Sequence, residues 1–442
     1  MKRFILEQSD DEYYTSHSGL ALIGLCINRF SGLQQQVAKK MAGQDKISHT
    51  DIARSMLGLL CLGKSDYEAI SAMRDDDYFK PSLGIRDVPS AERLRQRLDE
   101  DAEAFLPIIK DCSVVMLKNG KVPITALDTG HVPLDADVFP MDNSNTRKEG
   151  VSRTYHDYHG YAPIAAYLGL EGWCLEVELR PGSQHSQEGF VPYLHRVIDR
   201  ARTLTTRKLL VRLDSAHDAL ETRLALRGRE KVSYIIKWNP RREETSALCA
   251  RAFAEGVVTE PRPGKKVALL TVRKSQEHEG QVCMFTKVVR ITQRTIDKRG
   301  QVLLAPEVTV EGWWTNLDLP EQKIIKLYEN HGLSEQFHSE FKSDLDLERL
   351  PSGKFATNAL IMALGSFAYN ILRLIGQLGL LGEYSPVRHP AKRRRLKTVI
   401  QELIYLAARL VSSARRLKLR FSRHCPGFEA FSLVYNRLSA AR

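Results

Sequence analysis

The sequence predicts a mixed α/β fold flanked by helical regions at both ends. Apolar residues recur at helical spacing through Ser18–Val37 and Ser48–Ala72, and strands are hard to find before about residue 115. From Val114 the pattern turns to alternating, β-branched segments interrupted by two helical stretches, in the order β-β-β-α-β-α-β. Helical spacing returns at Pro320 and continues to the C-terminus.

Taken in order, residues 1–115 form an N-terminal helical region with a possible role in DNA binding or dimerisation, and Ser48 and Ser90 are placed as helix N-caps. Two short helices here fit either a DNA-reading helix-turn-helix or an ordinary bundle. Residues 116–239 hold the strands Val122–Asp137, Tyr161–Leu168 and Trp173–Arg180, the helix Ser186–Leu204, the strand Lys208–Asp214, the helix Ala219–Arg229 and the strand Val232–Trp238. Residues 240–317 are strand-rich, with Lys266–Val272, Gln281–Thr292 and Gln301–Val310 leading to Gly312-Trp313-Trp314-Thr315. Residues 318–383 are helical. Their most apolar stretch, Ala356–Leu381, carries Asn358, Asn370, Arg373 and Gln377, which favours a core helix over a membrane span. Residues 384–442 read as a basic helical region.

With 442 residues, 43% hydrophobic and 27% charged, the chain has ordinary globular usage, which excludes disordered, collagen-like and fibrous classes. Seven scattered cysteines (26, 61, 112, 174, 249, 283, 425) show no two-residue gap of the kind zinc sites use, so reduced thiols in a cytoplasmic protein are expected. An acidic residue in Met-Lys-Arg-Phe-Ile-Leu-Glu interrupts any apolar run, so no secretory signal is expected. The net charge of +12 is concentrated: residues 384–442 contain fourteen Lys and Arg against two acids, which leaves the rest of the chain neutral. Such a tail calls for a polyanion, nucleic acid before a membrane surface, unless it is simply a solvated basic helix.

Three groups of residues carry the candidate chemistry. Asp135 and Asp137 alternate on the first core strand and therefore share a face, where two carboxylates repel unless a cation lies between them. Asp214 ends the buried strand Lys208–Asp214, at the carboxyl end where α/β sheets place ligands; an Asp there is also a common turn-former. On an uninterrupted helix Tyr328, His331, Glu335 and Lys342 fall within about 60° of one another, although Gly332 and Ser334 could split the run, with Ser334 capping the second part. Two strand-end aspartates and a helical glutamate suit Mg²⁺, which takes few protein carboxylates, and paired ions of this kind support in-line phosphoryl displacement.

At this point the residues resemble the DDE transposases of bacterial insertion sequences, in the group with a Tyr-Arg-Glu-Lys pattern. Tyr328, His331, Glu335 and Lys342 reproduce its spacing of two, three and six intervening residues, with histidine in place of arginine. The stretches LDADVFPMDNSNTRKEGVSRTY (134–155), HGYAPIAAYLG (159–169), ELRPGSQHSQ (178–187), VRLDSAHD (211–218), GWWTNL (312–317) and SEQFHSEFKSDLDLERLPSGKFATNAL (334–360) look like the same group. The resemblance implies a ribonuclease-H-like core with a β-rich insertion before the catalytic glutamate. It implies Asp214 and Glu335 as second and third acids and Asp137 as the first, with Asp135 and Asp128 as the alternatives for that place. Mg²⁺, with Mn²⁺ as substitute, is the implied cofactor. Double-stranded DNA, as terminal inverted repeats and target, is the implied partner, bound by a homodimer. Tyr328, His331 and Lys342 are implied phosphate contacts, and Trp313 or Trp314 is implied to stack on a flipped base unless both are strand-core residues. The tail is assigned to DNA through charge alone, beginning with Arg393, Arg394 and Arg395. The expected activity is cut-and-paste transposition. A DNA-end-binding regulator would shift an end fragment without nicking it, and a structure-specific nuclease would nick it without strand transfer.

Overall fold

The computed structural model describes residues 3–440 apart from 10, 42, 44, 45, 242, 298, 414 and 415; at 331, 333 and 334 the backbone alone is described. A nine-stranded mixed sheet organises the molecule. Its strands are β1 (Val132–Val138), β2 (Ile164–Leu168), β3 (Trp173–Glu178), β4 (Leu209–Leu213), β5 (Val232–Lys237), β6 (Val257–Arg262), β7 (Lys265–His278), β8 (Gln281–Ile296) and β9 (Val302–Thr315). They lie side by side as β6-β7-β8-β9-β5-β4-β1-β2-β3. β1 runs antiparallel to β2, and β2 to β3, while β1, β4 and β5 are mutually parallel. That five-stranded half is the ribonuclease-H arrangement. β9 joins it antiparallel to β5, so the insertion extends the same sheet instead of forming a separate one.

Each parallel step is a crossover through a helix, α1 (Phe190–Leu204) before β4 and α2 (Leu220–Arg227) before β5, as parallel pairing requires. β4 is buried along its whole length, which explains its continuous apolar run broken only by Arg212. The first strand starts ten residues later than its alternation suggested. Pro123 cannot donate to a ladder, and Leu127 to His131 form a turn through Gly130 at φ 76°, so only Val132 onward pairs.

After the sheet come α3 (Glu321–Glu329), α4 (Leu333–Ser339) and the long α5 (Phe355–Gly379), which lies against the edge strand β3. Asn370 Oδ1 accepts from Cys174 N at 3.0 Å, and Asn370 Nδ2 donates to Cys174 O at 2.7 Å, so one side chain occupies both backbone groups of an otherwise open edge. α5 is the one described helix long and apolar enough to cross a membrane, and 94% of its apolar window is buried inside the protein. N-terminal helices His49–Cys61 and Ala102–Asn119 and the C-terminal helix Phe428–Ala440 pack on it. Ser48 and Ser90 cap their helices by accepting from Asp51 N and Arg93 N.

The basic C-terminal region is not wholly helical. Ala408–Ser413 and Arg416–Phe421 form an antiparallel hairpin, and Tyr13–Thr15 pairs with its first strand to make a three-stranded sheet. The alternation of Arg416, Lys418 and Arg420 with Leu417, Leu419 and Phe421 is a strand pattern that the charge count conceals. All seven cysteines are free thiols.

Candidate active site

The parallel register of β1 and β4 places the acids. Asp135 stands opposite Arg212 and Ala136 opposite Leu213, so Asp137 and Asp214 follow as the next pair at the carboxyl ends of the two strands. Neighbouring strands lie about 4.8 Å apart, and side chains two residues apart share a face. Asp135 with Arg212 thus forms a layer one pleat beneath Asp137 with Asp214.

The lower layer is an ion pair. Arg212 donates from Nε and Nη2 to the two Asp135 oxygens at 2.7 and 2.6 Å and from Nη1 to the Leu327 carbonyl at 2.8 Å; Arg212 is 1% and Asp135 3% exposed. This corrects the assignment of Asp135 as a metal ligand, because both of its oxygens are committed to a buried guanidinium. Asp128 lies in the turn before β1, at the opposite end of that strand from Asp137.

The upper layer opens to solvent. Asp137 and Asp214 line one cavity of about 620 Å³, together with Arg153, Tyr155 and His185. Asp137 Oδ1 accepts from Val138 N at 2.8 Å, and Asp214 Oδ1 meets His217 Nδ1 at 2.7 Å. His217 is fully buried, and its ring packs against Phe190 at 4.0 Å. The next residue, Asp218, accepts from Arg223, from Asn239 N at 2.9 Å and from Trp314 Nε1 at 3.2 Å, which fixes the other end of the same loop.

Glu335 reaches the site from the opposite side. The run from Tyr328 to Lys342 is not one helix: α3 ends in a 3₁₀ turn at Asn330–Gly332, then come α4 and a π-helical turn at Glu340–Asp344. The expected single stripe is therefore broken at Gly332. Even so, the exposed Glu335 and the half-buried Lys342 line a second cavity, of about 480 Å³, that Asp137 also borders. Lys342 Nζ donates to the Pro140 carbonyl at 2.7 Å and pairs with Glu348 at 3.1 Å. His338, on the same wall, stacks on Phe139 at 4.4 Å. The side chains of His331 and Ser334 lie outside the described residues.

Tyr328 is half-buried near these acids. Burial first, then the carboxylates of Asp214, Asp137 and Asp135, raise its phenol well above the ordinary tyrosine range, which keeps the hydroxyl protonated beside the acids. Tyr155, which lines both cavities, closes the family-like stretch 134–155 but is not singled out there as a site residue. Its distance from any motif acid hides a neighbour that only the fold supplies.

The paired carboxylates of Asp137 and Asp214 fit a hard divalent cation, since two like charges on adjacent strand ends are stabilised by one between them. Among the described residues, no three His, Cys, Asp or Glu side chains are gathered closely enough to hold an ion, so Glu335 shares a cavity with Asp137 without completing a triad.

Other expected DNA contacts are occupied within the protein. Trp313 and Trp314 are 1% and 3% exposed, so neither can stack on a base. Lys237 Nζ lies 4.3 Å from the Trp313 ring centre, and Trp314 is held by Asp218. Arg393 lies over Phe337 at 4.4 Å, Arg394 donates to the Leu380 and Val387 carbonyls at 2.9 Å, and Arg395 donates to Asp344 at 2.9 Å and Ser339 at 3.0 Å. These three arginines fasten the C-terminal region to the elements around Glu335 and α5.

The family model described as "Transposase DDE domain group 1" matches residues 2–442. No curated protein matches the chain. Among solved structures, the chain is similar to piggyBac transposase in a synaptic complex with hairpin DNA, at 12% identity over 90% of this chain and 82% of that one, with a TM-score of 0.41. With its acids at the strand ends of a ribonuclease-H sheet and a family match from residue 2 to residue 442, the chain belongs to the DDE transposases, group 1.

Proposed function

We propose that this protein is the cut-and-paste transposase of a bacterial insertion sequence of the Tyr-Arg-Glu-Lys group. It works in the cytoplasm, binding terminal inverted repeats as a homodimer, cleaving them and joining the 3′ ends to target DNA. The observation that carries this reading is the register of β1 and β4, which sets Asp137 beside Asp214 in one open cavity while Glu335 borders a second cavity shared with Asp137.

DDE transposases depend on a divalent metal; here Mg²⁺, with Mn²⁺ as substitute, would be held by Asp137 and Asp214 with Glu335 as the third acid, and would supply Lewis-acid activation and charge neutralisation at the phosphodiester. The protein's own groups orient the substrate. Tyr328, held protonated, donates a hydrogen bond to a phosphate oxygen brought to the acids. Lys342, on the wall with Glu335, adds a cation to the same phosphate run. Buried Arg212 balances Asp135, so the two upper carboxylates stand above a neutral layer and not above a third negative charge.

The test is Mg²⁺-dependent nicking and strand transfer on a labelled end fragment. Asp137→Ala, Asp214→Ala or Glu335→Ala is expected to abolish cleavage while the fragment still shifts. Cleavage retained by the purified Glu335→Ala protein would overturn the assignment.

A further inference from the structure

The cavity that holds Asp137 and Asp214 has a wall whose chemistry the two acids do not explain. Five consecutive residues, Gly182-Ser183-Gln184-His185-Ser186, line it, in the turn-rich loop between β3 and α1. That loop is fastened on several sides. Gly182 packs so closely that an added Cβ would lie 2.3 Å from the Ser152 carbonyl oxygen and 2.4 Å from that of Gly160. Ser183 N donates to Ser152 Oγ at 2.8 Å, and the buried Arg180 donates from Nη1 to the Ser186 carbonyl at 3.3 Å. Gln187 Nε2 donates to the carbonyls of Ala216 and Asp218 at 3.2 and 3.3 Å, which ties the loop to the one that begins at Asp214. A wall held in this way keeps a fixed place beside the acids.

What the wall presents is donors without charge. Gln187 N donates to His185 Nδ1 at 3.3 Å, so the neutral ring carries its proton on Nε2. The amide N–H groups of His185 and Ser186 have no acceptor among the described residues, and successive backbone N–H groups make anion-binding concavities. Arg153, which lines the same cavity, pairs with Asp157 at 2.9 Å.

The absence of charge from these donors has a physical use. One layer below, Arg212 takes both oxygens of Asp135. An unpaired lysine or arginine on the wall would compete in the same way for Asp137 and Asp214. Neutral donors leave those carboxylates to a divalent cation and still hydrogen-bond an anion.

We propose that the loop Ser183–Ser186 is a phosphate cradle, in which His185 Nε2 and the amide N–H groups of His185 and Ser186 hydrogen-bond the non-bridging oxygens of the DNA phosphodiester brought to Asp137 and Asp214. The inference rests on the DNA-cleaving reading of this cavity and adds the residues that hold the group to be cut.

Single-turnover nicking of the labelled end fragment in Mg²⁺ tests it. Removing one donor to a charged oxygen costs a factor of about 10–100, so His185→Ala is expected to nick slower by that factor. Its melting temperature stays unchanged, because the ring is exposed. His185→Gln, whose amide nitrogen reaches the place of Nε2, is expected to recover most of the rate; His185→Asn, whose amide lies near the place of Nδ1, is not. Since no cation is removed, the salt slope of fragment binding stays the same in all three. Equal rates for the alanine and unaltered proteins, a glutamine variant no faster than the asparagine one, or a smaller salt slope for His185→Ala would each overturn the cradle. A readout without cleavage separates the cradle from the reading beneath it. In the long-range ¹H–¹⁵N spectrum of the full-length protein, the ring signals lost in His185→Gln are expected to show the Nε2–H form and to shift when the end fragment and Mg²⁺ are added. A protein that shows this shift and does not nick would overturn the cleavage reading and support the cradle as a DNA contact. An Nδ1–H ring, or a signal unmoved by the fragment in a protein that nicks, would overturn the cradle alone.

Discussion

Asp135 and Asp137 share a strand, a face and a residue type, yet their environments set them to opposite tasks. Asp135 is locked to Arg212 by two short charged hydrogen bonds, and Asp137 borders two cavities. Removing one member of a buried ion pair strands the other charge, so Asp135→Ala is expected to lower unfolding stability by about 3–5 kcal/mol. Asp137→Ala relieves a like-charge neighbour and is expected to change stability by less than about 0.5 kcal/mol while abolishing cleavage. Denaturant unfolding of both variants checks this; an unstable Asp137→Ala with a fully stable Asp135→Ala would reverse the two roles. Alternation along the sequence made the shared face of the two aspartates legible. The difference between them was not, because Arg212 lies seventy-seven residues away and meets Asp135 only through parallel pairing.

At the scale of elements, most of the core was legible because its signals are local. Trp173–Glu178 alternates, Leu209–Leu213 is a continuous apolar run, and Pro320 precedes a helix at Glu321. Where tertiary context decided, the sequence misled. Trp313 and Trp314 read equally well as exposed aromatics or as strand core, and pairing of Gly312 to Thr315 between β8 and β5 buries them. A basic tail with apolar spacing looked helical until Tyr13–Thr15, from the far end of the chain, supplied the third strand. The loop after β4 was likewise seen only for Asp214, although His217 holds that carboxylate. Groups that hold a metal ligand in place through a hydrogen bond typically change metal affinity about 10–100-fold when removed. His217→Ala is therefore expected to weaken Mn²⁺ binding by about that factor, read by electron paramagnetic resonance, and His217→Asn, which keeps a donor, to restore most of it. Equal Mn²⁺ affinity in the unaltered and alanine proteins would remove His217 from this role.

For the whole molecule, the net charge of +12 is distributed differently from a free basic tail. Arg393, Arg394 and Arg395 are half-buried and bonded within the protein, while Lys392 meets Lys323 and Lys326 around a cavity of about 380 Å³ on the side of α3. Cations gathered from two distant segments make a better candidate for following a phosphate backbone than the sequential run does. Neutralising one phosphate-binding cation lowers the salt slope of DNA binding by about 0.9, so replacing all three lysines by alanine is expected to reduce it by roughly 2–3. Fluorescence anisotropy across a salt series measures this, and an unchanged slope would place the DNA elsewhere.

The pairing of Thr15 with Ala408, and of Ser18 N with the Leu406 carbonyl at 3.2 Å, also sets an order of events during synthesis. The first strand of the chain waits for one of the last, and the helix Leu20–Phe30 completes its packing only when Phe428–Ala440 arrives. Pairings this distant in sequence form late, after the intervening loop entropy has been overcome. A ribosome that stalls before the hairpin therefore releases a chain with its ends unjoined, and α5 then lacks part of its cover. Quality control by proteases has an exposed apolar helix to recognise, and only full-length translation yields a protein that escapes it.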